Sequence, residues 1–415
     1  MQKNYITYML TFVILLSVGF FAARVPASTV PIYLDYQATT PVDPRVLKHM
    51  LPYFTKEFGN PHSITHVYGT HAHKAMEHAR AEIACVINAD PEEIIFTSGA
   101  TEANNLAILG VCRALKKLGK SEIISAVTEH ESVLQPLQEL EKEGFTIILL
   151  PVQKNGIIKI DDLKKALSSK TALVSVMTAN NEIGVIQPIR KIAKIAHHAG
   201  ALFHTDAAQA FGKIKMDVKK DKIDLLSLSG HKIYGPKGIG ALFIRKGISL
   251  IPISYGGGQE MGLRPGTVPV PLCVGLGKAT EISQKELFVE TKRLLILRDT
   301  FLKLLQTSFP DMVVNGDLEQ RLPGNLSLSF KNIDSLSLQE NLKGIAISLG
   351  SACTSRSTGI SHVIQAIHGK EITPTVTIRV SIGRFTSKKD IETAASELIS
   401  FIKTEKGKKN DALQK

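Results

Sequence analysis

The sequence predicts an α/β fold: a large domain built on a mostly parallel seven-stranded sheet, followed by a smaller α+β domain. Two observations carry this. From residue 80 to 245, short apolar runs alternate with helical ones. After about residue 285 the texture changes to one long charged helix and a set of short strands. Apolar runs without polar alternation are strands buried on both faces, the mark of a parallel sheet covered by helices.

The strands read in order as Ile94–Thr97, Glu122–Ser125, Thr146–Leu150, Ala172–Met177, Ala201–His204, Leu225–Leu228 and Ala241–Ile244. Helical runs such as Pro188–His198 lie between several of them. In the second part a charged helix is expected over Glu286–Gln306. Strands follow at Asn325–Phe330, Ile345–Ser348 and Val376–Ser381, with a last helix over Lys388–Ile402. The division is 30–40 as an N-terminal segment of the small domain, 41–285 as the large domain, 286–405 as the small one, and 406–415 as a basic tail, solvated and frayed.

Residues 1–29 stand apart. Tyr8–Ala23 is mostly apolar, flanked by Lys3 and Arg24, and is short for a spanning helix, which needs about 20 residues. Three readings stay open. The segment is a signal peptide with Ala27 near the cleavage site, or a membrane tether through residues 6–23. Alternatively it is upstream sequence, with a start at Val30 just before Pro31. Apart from such a tether the chain is expected in the cytoplasm.

Composition is that of a globular enzyme, with 44% hydrophobic and 21% charged residues. The net charge of +12 favours acidic partners in encounter. No basic run is interleaved with aromatics, so direct nucleic-acid binding is not expected. The four cysteines, Cys85, Cys112, Cys273 and Cys353, match no zinc spacing. Cys85 and Cys273 read as small buried hydrophobes. Cys112 is undecided, with a structural role favoured.

The chemistry concentrates where strands end, the place where open α/β sheets bind ligands. Lys232 follows the strand at Leu225, in Ser229-Gly-His-Lys232 before a Gly-rich turn. Asp206 ends the strand before it, in His204-Thr-Asp-Ala-Ala-Gln209. A lysine beside an aspartate at neighbouring strand ends is what pyridoxal 5'-phosphate needs: an amine for the Schiff base and a carboxylate to keep the ring nitrogen protonated. Thr97-Ser-Gly-Ala-Thr-Glu102 is a strand, a tight turn and a helix start, suited to a phosphate with Thr101 adding a hydroxyl. An ordinary N-cap by Ser98 or Thr101 is the alternative.

His130, in Thr128-Glu-His130, could stack on a ring and move protons. Asn180 and Asn181 either form a turn or offer Asn181 to cofactor or substrate. Arg379 inside an apolar strand needs a partner, either a substrate carboxylate or a structural ion pair. Thr267, in a Gly-rich segment, is a candidate phosphate donor. Cys353 lies in Gly350-Ser-Ala-Cys353, within small polar residues that predict an accessible loop in which a thiolate could act as nucleophile.

Taken together, Tyr33-Leu-Asp-Tyr-Gln-Ala-Thr-Thr-Pro41, Phe58-Gly-Asn-Pro-His-Ser63, Asn180-Asn-Glu-Ile-Gly184 and the motifs above resemble the cysteine desulfurases. These are fold type I pyridoxal-phosphate enzymes of the class V aminotransferase group. The closest likeness is to the branch that supplies sulfur for iron–sulfur clusters and tRNA thiolation. The resemblance runs to Arg379-Val-Ser-Ile-Gly-Arg384.

It implies a homodimer that converts L-cysteine to alanine, with sulfur carried as a persulfide on Cys353 to scaffold or other acceptor proteins. Lys232 would carry the cofactor and Asp206 would pair with its ring nitrogen. Gln209 would bond the ring oxygen. Ala100, Thr101, Ser229 and His231 would hold the phosphate, with Thr267 from the other subunit. His130 would be acid/base, and Asn181 and Arg379 would bind the substrate carboxylate. Cys353 could also ligate a transient iron–sulfur cluster with a partner. Gln37 and Pro265 depart from the family pattern, and Pro265 removes one backbone N–H near Thr267. The rivals are a different pyridoxal-phosphate reaction, such as transamination or selenocysteine cleavage, and a tethered sulfur relay without catalysis.

Overall fold

The computed structural model describes residues 30–333, 335–349, 361–369 and 375–413. Cys353, the tether or signal candidate at 6–23 and the rest of the first 29 residues lie outside them. Among the described residues no helix is long and apolar enough to cross a membrane.

The chain enters through β1 (Ile32–Tyr33) and then builds β2 (Ile94–Thr97), β3 (Glu122–Ala126), β4 (Thr146–Leu150), β5 (Thr171–Ser175), β6 (Leu202–Asp206), β7 (Leu225–Ser229) and β8 (Gly240–Ile244). β2 to β8 form one seven-stranded sheet in the order β2-β8-β7-β6-β5-β3-β4. Only β8 runs antiparallel to its neighbours. Every residue of β2, β5, β7 and β8 is buried, as apolar runs without alternation require. One face packs on the helix Ala100–Lys116 in a core with Leu106, Val111 and buried Cys112. The other face packs on the helices Val67–Ile87 and Ile189–His198.

The reversed strand matters for the site. β8 starts where its neighbours end, so the register sets Gly240 beside both Thr97 and Ser229. A Cβ on Gly240 would sit 2.7 Å from Gly99 Cα and 2.4 Å from Leu228 O. Only glycine lets the turn at Gly99 lie against the sheet there.

The second part holds β9 (Val313–Val314), β10 (Asn325–Lys331), β11 (Ile345–Ala346), β12 (Ser348–Leu349) and β13 (Thr375–Ser381). β12-β13-β10-β9 is an antiparallel sheet, and β1 pairs in parallel with β11. The strand expected over Ile345–Ser348 is therefore two, because the chain changes sheets at Ile347. This sheet covers its own core with Phe301, Leu328, Phe330, Ile378 and Leu398, joined by Leu34 from the N-terminal segment.

Three expectations are corrected. The charged helix starts at Val270, not Glu286, and runs 39 residues to Ser308. Its first turns read as an uncharged Gly-containing run because they are buried against the helix Val67–Ile87. A Cβ on Gly277 would lie 2.7 Å from Ala79 Cα, so the glycine marks close helix packing, not a break. The final helix extends from Lys388 to Leu413, through the segment expected to fray. Lys406 pairs with Asp311 at 3.2 Å and lies over the Phe309 ring. Finally, Cys85 is exposed on the outer face of its helix, not buried, whereas Cys273 is buried.

Candidate active site

The carboxyl ends of β5, β6 and β7, the end of β2, and β12 and β13 of the second sheet surround one cavity of about 790 Å³. Ten of the twelve candidate residues line it: Ala100, Thr101, His130, Asn181, Asp206, Gln209, Ser229, His231, Lys232 and Arg379. Thr267 is exposed and does not line it.

Asp206 ends β6. Its Oδ2 accepts from Asn104 Nδ2 at 2.7 Å and its Oδ1 from the Ala208 amide at 2.8 Å, so the carboxylate is fixed in direction. Lys232 follows β7 through a single helical turn, and its Nζ donates to Gln37 O at 2.7 Å and Ala38 O at 2.8 Å. Gln209 donates to the same Gln37 carbonyl and accepts from Lys213. The Asp-Tyr-Gln-Ala-Thr segment thus serves as a floor that receives the lysine. The Gln37 side chain accepts from Asn325, while its own amide nitrogen is buried without a partner.

At Ala100 the helix begins after Gly99, and no side chain caps it. Ser98 and Thr101 do not take the N-cap role, which leaves backbone N–H groups and the positive end of the helix dipole facing the cavity. His231 is held by Thr39 Oγ1 at 3.1 Å. Burial first, then Lys232, Lys237 and Lys213, depress its imidazole to about 4, so it is neutral at pH 7. A dianionic group at this end meets uncapped amides, hydroxyls of Thr101 and Ser229, and Lys237.

Asn180 makes the turn after β5, its Oδ1 accepting from the Glu182 and Ile183 amides. That leaves Asn181 on the cavity wall. Arg379 donates to Asp35 at 2.7 Å, to Ser348 Oγ at 2.8 Å and to the Asn181 carbonyl at 2.7 Å, while its Nε is buried without a partner. The arginine therefore has a structural ion pair and also presents its charge to the cavity. Its register opposite Ser327 and Ser348 explains how an apolar strand accommodates it.

Sequence reading passed over several residues. Asn104 and Ser132 link Asp206 to His130 and carry no motif signal of their own. Asp35 lies within the Tyr33–Pro41 motif, where it was given no role of its own, and it pairs with Arg379 at 2.7 Å. Glu129 is fully buried with its carboxyl pushed well up by burial, and it accepts from the Met177 amide. Beyond the undescribed 350–360, the chain resumes at Ser361, which donates to Glu182 Oε2 at 2.5 Å, and His362, whose Nε2 meets the Glu129 carbonyl.

An amine, a fixed carboxylate on the next strand, an uncapped helix start and a glycine-made recess form a donor set that fits pyridoxal 5'-phosphate. The family described as aminotransferase class-V matches residues 32–393. A relative from Rickettsia rickettsii, cysteine desulfurase IscS, is 50% identical over 377 residues, covering 90% of this chain and 92% of its own. A solved NifS-like protein superposes with a TM-score of 0.84 at 36% identity, covering 90% of this chain and 100% of that one. Another, SspA in complex with cysteine, gives 0.74 at 37% identity over 86% and 99%. The chain belongs to the class-V aminotransferases and, within them, to the cysteine desulfurases, which are pyridoxal-phosphate enzymes.

Proposed function

We propose that the cavity is where this chain takes sulfur from L-cysteine, with Cys353 as the first acceptor. The observation that carries this reading is that Lys232, Asp206, the uncapped helix start and Arg379 line a single cavity. Pyridoxal phosphate, when bound, supplies the electron sink for bond cleavage at the substrate's carbons. Lys232 is the amine that would hold it, and Asp206 would keep its ring nitrogen protonated. Ala100, Thr101, Ser229 and His231 would take its phosphate, Gln209 would bond its ring oxygen, and His130 would serve as acid/base beside it.

Arg379, steadied by Asp35, and Asn181 orient the substrate carboxylate. The Cys353 thiolate attacks the substrate sulfur. The carbon–sulfur bond breaks, a sulfur–sulfur bond forms on Cys353, and the carbon takes a proton to give alanine. Atoms balance without an external oxidant.

The same reading makes the working unit a homodimer in the cytoplasm, with Thr267 of each subunit reaching the other's phosphate end. The persulfide passes to scaffold or other acceptor proteins for iron–sulfur assembly or tRNA thiolation, and Cys353 can ligate a transient cluster on such a scaffold. The large domain over 41–285 holds the cofactor, and the small one over 286–405 with 30–40 brings Arg379 and Cys353. Support comes from the position of each residue in the motifs, from the relative's name and from the neighbour solved with cysteine.

The test is to give the pyridoxal-phosphate-loaded protein L-cysteine and a thiol reductant, then quantify alanine and sulfide. Equal amounts in wild type and loss of both in Cys353→Ala are expected. No alanine from the loaded wild type would overturn the reading.

A further inference from the structure

Beneath the cavity, Asp206, Asn104, Ser132 and His130 form one line of hydrogen bonds, and the donors in it can be counted. Asn104 is fully buried in the first turns of the helix Ala100–Lys116. A carboxylate only accepts, so the Asn104 amide must present its nitrogen to Asp206, as it does at 2.7 Å. The second hydrogen of that nitrogen goes to Ser132 Oγ at 2.8 Å. The Ser132 hydroxyl thus accepts from Asn104, and its own hydrogen is left for His130 Nδ1, 2.8 Å away.

The Ser132 backbone N–H also points at Nδ1, at 3.1 Å, because His130 is the N-cap of the helix Glu131–Lys142. Two donors converge on Nδ1, so that atom carries a lone pair. In a neutral imidazole the proton is then on Nε2. Nε2 has no hydrogen-bond partner among the described residues, and His130 lines the cavity.

We infer that Asn104 and Ser132 are positioning residues that hold His130 as the Nε2–H tautomer, so that the ring offers the cavity a hydrogen-bond donor. The inference rests on the reading of this cavity as the site of cysteine turnover, and it refines the acid/base role expected of His130. The neutral ring steadies negative charge by donation. Taking up a proton requires that Ser132 turn away and that the Ser132 amide lose its acceptor. The charged groups around the ring agree with a neutral resting state. Burial, the largest influence, lowers the affinity of His130 for a proton. Lys232 and His362 also lower it, against Asp206 and Glu131, which raise it.

The decisive measurement is nitrogen NMR of the full chain, labelled with ¹⁵N-histidine and loaded with pyridoxal phosphate. The His130 signals are assigned by their loss in His130→Gln. At neutral pH the expected spectrum has an unprotonated Nδ1 and a protonated Nε2. A proton on Nδ1, or a doubly protonated ring, overturns the inference.

Ser132→Ala removes one of the two donors. The His130 ring should then titrate at higher pH, and cysteine turnover should fall about tenfold, a fraction of what a positioned proton-handling group supplies. Ser132→Thr keeps the hydroxyl and should keep the wild-type ring titration. An alanine variant with unchanged titration and turnover also overturns the inference. Failure of the underlying reading looks different: no alanine from wild type, with the ring tautomer still readable. Turnover of cysteine with the proton on Nδ1 sinks the tautomer alone.

Discussion

The two walls of the cavity are built by unlike means. On the large-sheet side, Asp206 and Ser229 end strands that are buried throughout or nearly so, and Asp206 is fixed by a buried asparagine and a backbone amide. On the other side, Arg379 stands on β13 and is held by Asp35 from the N-terminal segment and Ser348 from a two-residue strand. The first wall has the rigidity suited to a permanent cofactor. The second gathers one charge from three chain segments, which suits recognition of a substrate group that comes and goes.

The contrast can be broken most strongly at Lys232. Lys232→Ala should lower cysteine turnover by about 10³-fold or more, the scale of removing a group that works as part of a catalytic unit. The yellow absorbance of the loaded protein should weaken as well. Turnover within tenfold of wild type would remove Lys232 from the chemistry.

On the opposite wall, Arg379→Lys keeps a charge but loses the planar fork that serves Asp35 and the cavity together. The expected result is a KM for cysteine raised about 10- to 100-fold, the worth of a charge-assisted hydrogen bond, with cofactor affinity unchanged. Loss of cofactor affinity in that variant would erase the distinction between the walls.

Gly240→Ala sharpens the comparison from the cofactor side. A methyl 2.7 Å from Gly99 Cα must push the turn at Gly99 outward. A stability loss of about 1–3 kcal/mol is expected from such overpacking. Weaker retention of pyridoxal phosphate on dialysis should accompany it, at an unchanged KM for cysteine in the loaded fraction. Full retention and stability would show that the turn tolerates the shift.

The large-sheet wall should also be the acid-sensitive one. His204 is fully buried in β6 between Ser175 and Ser227, and burial depresses it from its ordinary 6.5 to about 3. A basic group with a depressed folded value takes up its proton more readily when unfolded. Its contribution to stability is therefore intact above 6.5 and is lost as pH falls from there toward 3, with a slope of up to about 1.4 kcal/mol per pH unit. Urea titrations of wild type and His204→Gln between pH 7 and 4.5 should show a shallower fall for the variant. Parallel curves would mean that the histidine does not set the acid limb.

Much of this was legible in the sequence because the signals are local. Each strand of the large sheet is an apolar run, and the Ser98–Thr101 turn, Lys232 and Asp206 all sit at strand ends where sheet geometry sends a ligand. The rest depended on contacts distant in sequence. Nothing local marks Asn104 as the partner of Asp206, 102 residues away, or Asp35 as the partner of Arg379, 344 away. The start at Val270 was hidden because glycines in a helix read as breaks until the neighbouring helix is known. Cys85 was misplaced because an apolar-looking helical run does not say which face turns outward.

The mildest test falls on the C-terminal helix, where composition suggested a frayed tail. Lys406 meets Asp311 at 3.2 Å and lies 5.3 Å from the centre of the Phe309 ring. The pair is partly exposed, so salt and side-chain entropy oppose it, and exposed ion pairs contribute about 1 kcal/mol at most. Lys406→Ala should therefore cost no more than about 1 kcal/mol in denaturant unfolding, and less at high salt, where the charges are screened. Cysteine kinetics should stay at wild-type values, since the contact is far in the chain from either wall. A double-mutant cycle with Asp311→Ala isolates the pair from the stacking of the lysine on Phe309. A loss of several kcal/mol, insensitive to salt, would instead mean that the last turns are part of the core that positions β13, and with it Arg379.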